Sequence, residues 1–288
     1  MTNFPGVRAA AVLPLFLLAL AACAAEPGDT SGDAREGGPP SYGADEVVLR
    51  IDQEGGFVMP TALVTRLPTV SVYGDGRIVT EGPVVAKYPG PAAPNVQVTT
   101  VDADEVTRLV EQAREAGVGT AADLGAPPVA DVPSTRFTVR GATGVEETEV
   151  QALDVDSGLT ADQVAAREKL RTFAQSLIDT GQAAGTGGTK PYQPTAVAAV
   201  VTPWTADEAA GEQPKVAWPG PNLPGAPLAP GVDLSCVTVT GDQVRPLLDA
   251  AGRANAATPW TSGGKSWTVA LRPLLPDETD CADLAAAR

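Results

Sequence analysis

Carboxylates cluster at three places along this chain: Asp102, Asp104 and Glu105; Asp207 and Glu208; and Asp277, Glu278 and Asp280. A pair of carboxylates can serve as acid and base in glycoside hydrolysis when held at the required separation. The same residue types cap helices and line solvated turns. The first cluster falls where a helix should begin, a position that favours anions. Caps and solvated loops therefore account for all three clusters without catalysis. Histidine is absent from the chain. That excludes Ser-His-Asp and Cys-His catalysis as usually built, and His-ligated zinc or iron. No metal site and no cofactor is expected.

Other patterns are weaker. In Asp154-Val155-Asp156-Ser157-Gly158, Leu159 stands where a calcium-binding EF-hand needs its turn glycine, and Ala165 where it needs its closing Glu. A polar turn leading into a helix cap at Thr160 explains the run better. Ser262 and Lys265 fit the bare Ser-x-x-Lys pattern of penicillin-binding enzymes, but Ser-Asp-Asn and Lys-Thr-Gly are both missing. A hairpin turn before a strand at Trp267 accounts for them. No Gly-x-Ser-x-Gly elbow occurs. All four tryptophans, Trp204, Trp218, Trp260 and Trp267, lie in the second half. Trp267 reads as core. Trp218 and Trp260, beside prolines, are the expected exposed pair, and with Trp204 they are the candidate surface for stacking a sugar or a hydrophobic peptide.

Near the amino end, Arg8 is followed by an apolar run over residues 9–20 and then by Leu20-Ala21-Ala22-Cys23. A short positive region, an apolar core and small residues form the secretory pattern. The core is too short for a permanent span, which needs ~20 residues. The four residues ending in Cys23 resemble the lipobox of bacterial lipoproteins. That resemblance implies cleavage before Cys23, acyl chains such as palmitate on its sulfur, and a lipid-anchored place on the extracytoplasmic face of the cell membrane. Two or more chains anchor stably where one does not, each buried methylene adding ~0.8 kcal/mol. The lipobox, the Ala/Gly/Pro/Val-rich composition and the run Tyr73-Gly74-Asp75-Gly76 are together similar to secreted lipoproteins of high-GC actinobacteria, a group that implies no activity. In an oxidising compartment the remaining Cys236 and Cys281 are expected to form one disulfide, the alternative being two free buried thiols.

The net charge of −15 repels phosphate backbones and anionic headgroups. Nucleic acid is therefore not an expected partner, and membrane contact falls to the lipid. Residues 1–22 read as the signal and 23–44, rich in Gly, Pro and Asp, as a disordered tether. Residues 45–182 read as a first α+β domain, 183–194 as a linker and 195–288 as a second α+β domain. Strands are expected at 47–51, 69–73, 77–81, 84–88, 96–101, 136–140 and 145–153, then at 195–201, 215–218, 234–239 and 267–271. Helices are expected at 102–116 and from 160, each with a capping-box match, and at 244–254.

The two parts look alike. Tyr88-Pro89-Gly90-Pro91 recurs as Trp218-Pro219-Gly220-Pro221, and Leu109, Val110 and Ala113 recur as Leu247, Leu248 and Ala251. This points to an internal duplication of part of the first domain. The expected fold is α+β: two similar small antiparallel sheets, each covered by one or two amphipathic helices. Three functions fit: a non-enzymatic, membrane-anchored protein that binds an envelope protein or glycan, a carboxylate-based hydrolase of cell-wall glycan, or a structural spacer.

Overall fold

Alternating apolar residues and turn-forming glycines set most of the strands. The computed structural model describes residues 41–141, 144–183, 188–228 and 233–286. The expected signal, Cys23 and most of the expected tether lie outside them. The elements run β1 (Val47–Glu54), α1 (Pro60–Thr65), β2 (Val70–Tyr73), β3 (Arg77–Glu81), β4 (Val96–Thr100), α2 (Ala103–Glu115), β5 (Ser134–Gly141), β6 (Gly144–Gln151) and α3 (Ala161–Gln182). They continue with β7 (Lys190–Pro191), β8 (Ala196–Pro203), β9 (Val216–Ala217), β10 (Ala226–Pro227), β11 (Ser235–Thr240), α4 (Val244–Ala251), β12 (Trp260–Ser262), β13 (Lys265–Pro273) and α5 (Cys281–Ala286). The fold is α+β, as the sequence implies. No helix among the described residues is long and apolar enough to cross a membrane.

The first sheet has the order β6-β5-β1-β2-β3-β4-β7, with every neighbour antiparallel. The second has the order β10-β11-β8-β13-β12-β9. It departs from the all-antiparallel expectation at one edge, where β12 and β9 are parallel. A parallel neighbour requires a crossover, and the chain supplies one through β10, β11 and α4. In the first sheet the strand that follows α2 returns beside the opening strand, β5 next to β1, whereas in the second it is the second strand after α4, β13, that lies beside β8. The first sheet inserts the hairpin β2–β3 between its opening strand and β4, whereas β8 pairs directly with β11.

Local chemistry explains the boundaries. In the β2–β3 turn, Gly76 has φ +85°, and a Cβ there would sit 2.1 Å from the Val101 carbonyl oxygen. Asp102 caps α2 by accepting from the Glu105 amide at 2.8 Å. Glu105 turns away to pair with Arg108. Both halves of the capping box close at α3: Thr160 N–H donates to Gln163 Oε1 at 2.9 Å, and Gln163 N–H to Thr160 Oγ1 at 3.3 Å. Residues 84–88 form no strand. Pro83 and Pro89 bracket them, neither can donate to a ladder, and Val84 and Val85 stay 54% and 69% exposed. Helix α1 was not foreseen, because six residues are too few to show a periodicity.

The cores interlock. Buried residues of α2 (Val106, Leu109, Val110, Ala113) and α3 (Leu170, Phe173, Leu177) join Leu49, Ile51, Val72, Ile78, Phe137 and Val139 of the first sheet in one cluster. Strand β8 is buried along nearly its whole length. Its Val197, Ala199 and Val201 pack with Leu247 and Ala251 of α4, while Ala196, Ala198 and Val200 pack with Val64 of α1 and Leu284 of α5. A strand covered on both faces reads as a continuous apolar run, which is the pattern of Ala196-Val197-Ala198-Ala199-Val200-Val201. The first half supplies Val64 to one cluster, and Ala92 with the half-buried Ala93 to the other. Leu275, beyond β13, in turn packs under Tyr73, Val79 and Val96 of the first sheet. The expected linker contributes β7 to the edge of the first sheet. The described residues fall within one compact unit.

Candidate functional site

The tryptophans do not form an exposed surface. Trp260 is 0% exposed and Trp218 only 8%. Their rings meet edge to face, with centroids 5.6 Å apart, inside the core under α4. The expectation of an exposed pair is therefore corrected, and the prolines explain it. The Pro219-Gly220-Pro221 turn folds back so that the Trp218 indole N–H donates to the Pro221 carbonyl at 2.7 Å. That satisfies the polar end of a ring that is otherwise in apolar contact. Trp204 is half-buried, and its N–H points at the Ala257 carbonyl, 3.4 Å away. Tyr88, the counterpart of Trp218 in the repeated run, is 66% exposed.

The carboxylate clusters separate by role. Asp102 is a helix cap, and Asp207 caps a short turn while accepting from the Tyr88 hydroxyl. The third cluster is different, because it is drawn between the sheets. Asp277 takes two hydrogen bonds from the Arg50 guanidinium, at 2.7 and 2.9 Å, and a third from the Tyr73 hydroxyl at 2.7 Å. Glu278 pairs at two points with Arg272, which is 2% exposed, and accepts from the Leu275 amide at 2.7 Å. Burial pushes the Asp277 carboxyl up, but the hydrogen bonds and charge of Arg50 outweigh it and leave it below the usual carboxylate range. Burial holds the Tyr73 phenol well above its ordinary value. Among the described residues no group of three or more Cys, Asp or Glu side chains is placed to hold a metal. Ser262 pairs with Lys265 across the β12–β13 hairpin.

Two concavities flank β1. The smaller, about 250 Å³, opens beside this ion-pair network and takes in Asp52, Glu54, Arg136, Glu147 and Glu278. Arg136 binds Glu54 at 2.7 Å and stands 3.9 Å from Asp52. Burial raises the Asp52 carboxyl above its ordinary value despite the nearby Arg50 and Arg136 charges. The larger is a groove of about 970 Å³ between α3 and the ends of β1 and β5. Ile51, Leu153, Ala174 and Ile178 give it apolar surface, and Gln53, Thr69, Thr135, Thr172, Gln175 and Ser176 give it amides and hydroxyls. Arg171 stands in its wall, fixed at 2.9 Å by Asp156.

Sequence reasoning missed this groove because its walls are ordinary polar residues on separate elements, with no motif. It also missed Arg167, which lies on the buried face of α3 with Leu170, Phe173 and Leu177 and is itself fully buried. Its guanidinium donates to the carbonyls of Leu124, Gln151 and Ala152. Cys236 and Cys281 are joined as a disulfide between β11 and the first residue of α5. Compared with known proteins, the chain matches no family model, no curated protein sequence and no solved structure.

Proposed function

We propose that the chain is a membrane-anchored, extracytoplasmic binding protein that holds an envelope protein or glycan in the groove along α3. The observation that carries this reading is the groove itself, an open trough with apolar surface and walls of hydroxyls and amides, joined by the carboxylates Asp154, Glu168 and Asp179. Such a lining suits a long ligand that presents apolar surface alongside amide or hydroxyl groups. The lipobox ending in Cys23 and the Cys236–Cys281 disulfide support an oxidising location outside the cytoplasm. Binding of the full chain to isolated cell-wall glycan and to envelope-protein peptides tests the reading. Ala174→Arg and Ser176→Arg, which place long cations in the trough, should weaken binding at least tenfold. Unchanged binding in both removes the groove from consideration.

A second reading, a carboxylate-based hydrolase of cell-wall glycan, is favoured by Asp52. Its raised carboxyl sits in a cleft with Glu54, Glu147 and Glu278, the setting an acid catalyst needs. Hydrolysis of isolated glycan that disappears in Asp52→Asn supports it, and absence of any hydrolysis ends it.

A further inference from the structure

Two loops beside α1 expose apolar side chains in runs, the first unbroken and the second interrupted at Lys87. Residues 57–60 are all exposed, with Phe57 at 88% and Met59 at 73%, and residues 83–88 are all exposed, with Val85 at 69%. Soluble surfaces carry single apolar residues commonly, but contiguous runs mark a contact surface. Helix α1 joins the two. It follows Met59 directly, it is ~9 Å long, and its Ala62 and Thr65 share a groove of about 450 Å³ with Val84.

The first loop is held from behind. The Arg66 guanidinium donates to the carbonyls of Gln53 and Gly55 at 2.9 and 3.1 Å. The Phe57 amide donates to the Asp131 carbonyl at 3.2 Å, and the Leu63 amide to the Met59 carbonyl at 3.1 Å. The Phe57 and Val58 amides and the Met59 carbonyl are thus paired within the protein, while the Phe57, Val58 and Met59 side chains stay exposed.

We infer that Phe57, Val58 and Met59, with Val84, Val85 and Tyr88, form a face that dips into the outer surface of the bilayer. The inference rests on the lipid-anchored reading above. The chain outside the described residues decides the occupant. Residues 42 and 43 lie against the β2–β3 turn, where a Cβ on Gly74 would meet the Gly43 carbonyl oxygen at 2.2 Å. The tether thus joins the body at the Val47 end of β1, about 25 Å from the Phe57 loop at its other end. Residues 23–41 have a contour length of about 65 Å. That length lets the α1 face reach the bilayer that holds Cys23, and the anchor keeps the face at high local concentration beside it. The charges suit a neutral surface. Lys87 lies in the second loop and Arg66 at the base of the first, balanced by exposed Glu81 in the α1 groove and by Asp207 on the Tyr88 hydroxyl, while Glu54 is taken up by Arg136. Asp131, exposed at the rim, and the acidic body disfavour anionic lipid.

The test uses the full mature lipidated chain in phosphatidylcholine nanodiscs. Removal of the signal leaves Met59 as the only methionine, so carbon-13 methyl labelling reports one resonance from within the loop. A nitroxide-bearing lipid should relax that methyl at least fivefold faster than plain lipid, and Phe57→Ser with Val58→Ser should abolish the effect while the chain still co-elutes with the discs. Replacing half the lipid with phosphatidylglycerol should reduce the effect. A chain that carries its acyl groups and co-elutes, yet whose Met59 methyl ignores the lipid nitroxide, overturns the inference and leaves the anchor intact. Cys23 without acyl chains by mass spectrometry overturns both. Protection of Met59 that ignores lipid but vanishes on dilution indicates a second copy of the chain, and also overturns it.

Discussion

Arg50 and Asp277 stand 227 positions apart and meet in a two-point ion pair at 2.7 and 2.9 Å. Arg50 belongs to the first sheet, and Asp277 to the loop that leaves the second. The Arg50 Nε donates to Ser71 Oγ at 2.9 Å, and Tyr73 shares the same carboxylate. The partners are 17% and 24% exposed, so the pair is only partly screened. Asp277→Ala should cost about 2–3 kcal/mol, because the Arg50 charge loses its counter-ion and the Tyr73 hydroxyl its acceptor in a poorly solvated place. Replacing both charges together, with Arg50→Met and Asp277→Leu, should cost less than the sum of the two single changes. Urea unfolding of the four variants measures the coupling, and strictly additive losses refute it.

The same pair sets an acid limb. Asp277 is held below the usual carboxylate range in the folded state. A depressed folded value means that the unfolded chain binds the proton more readily. The stabilisation is therefore complete above the ordinary carboxyl range, and it drains as pH falls from there through the lowered folded value. Asp277→Asn should flatten that part of the stability profile while remaining less stable than the parent at pH 7. Melting midpoints recorded between about pH 2 and pH 7 check the slope.

Asp52 behaves in the opposite sense. Its folded value is raised, chiefly by burial. Between the ordinary and the raised value the folded chain binds more protons, so stability falls as pH rises across that window. Asp52→Asn should therefore be more stable than the parent at neutral pH, with the advantage shrinking as pH drops into the ordinary carboxyl range. A variant that is less stable at pH 7 contradicts this. A stabilising substitution that also removes an activity is the behaviour of a functional group held at a cost.

Trp260→Ala should act through the fold. The ring is fully buried against Trp218 and in the core that also holds Leu247 of α4. The expected loss is about 3–5 kcal/mol. Near-ultraviolet circular dichroism and thermal melts should change together. A variant with the parent's melting point but altered ligand binding would restore the ring as a contact residue.

Gly181 marks where α3 lies closest to the first sheet. A Cβ there would stand 2.7 Å from Thr80 Cγ2 and 2.9 Å from Ile78 Cγ2, and the Thr99 hydroxyl donates to the Gly181 carbonyl at 2.7 Å. Gly181→Val should lose about 1–3 kcal/mol through overpacking. Gly188→Ala, at a position with open space but φ +69°, separates backbone strain from crowding.

What the sequence revealed follows from the range of the interactions involved. The hairpin at 74–76, the caps Asp102 and Thr160 and the apolar stripe of α2 are settled within a few residues, and each could be read directly. The disulfide followed from counting cysteines in a secretory context. The tryptophans misled because proline beside an aromatic ring reads as surface, whereas here the Pro-Gly-Pro turn wraps the Trp218 ring and supplies its hydrogen-bond acceptor. Arg167 was hidden because a cation on an apolar stripe looks like a helix edge, and its three carbonyl partners come from two other segments. The groove and the Arg50–Asp277 pair depend on contacts between distant segments, which periodicity does not encode.

Strand β8 meets Val64 on one side and shares a cluster with Ala92 on the other, both from a segment made earlier during synthesis. A polypeptide synthesised amino end first delivers these residues before the strands that pack on them. The carboxyl-terminal sheet expressed by itself would keep α4 and α5 but lose Val64 and Ala92, which opens part of each apolar face of β8 and makes truncation there a route to aggregation.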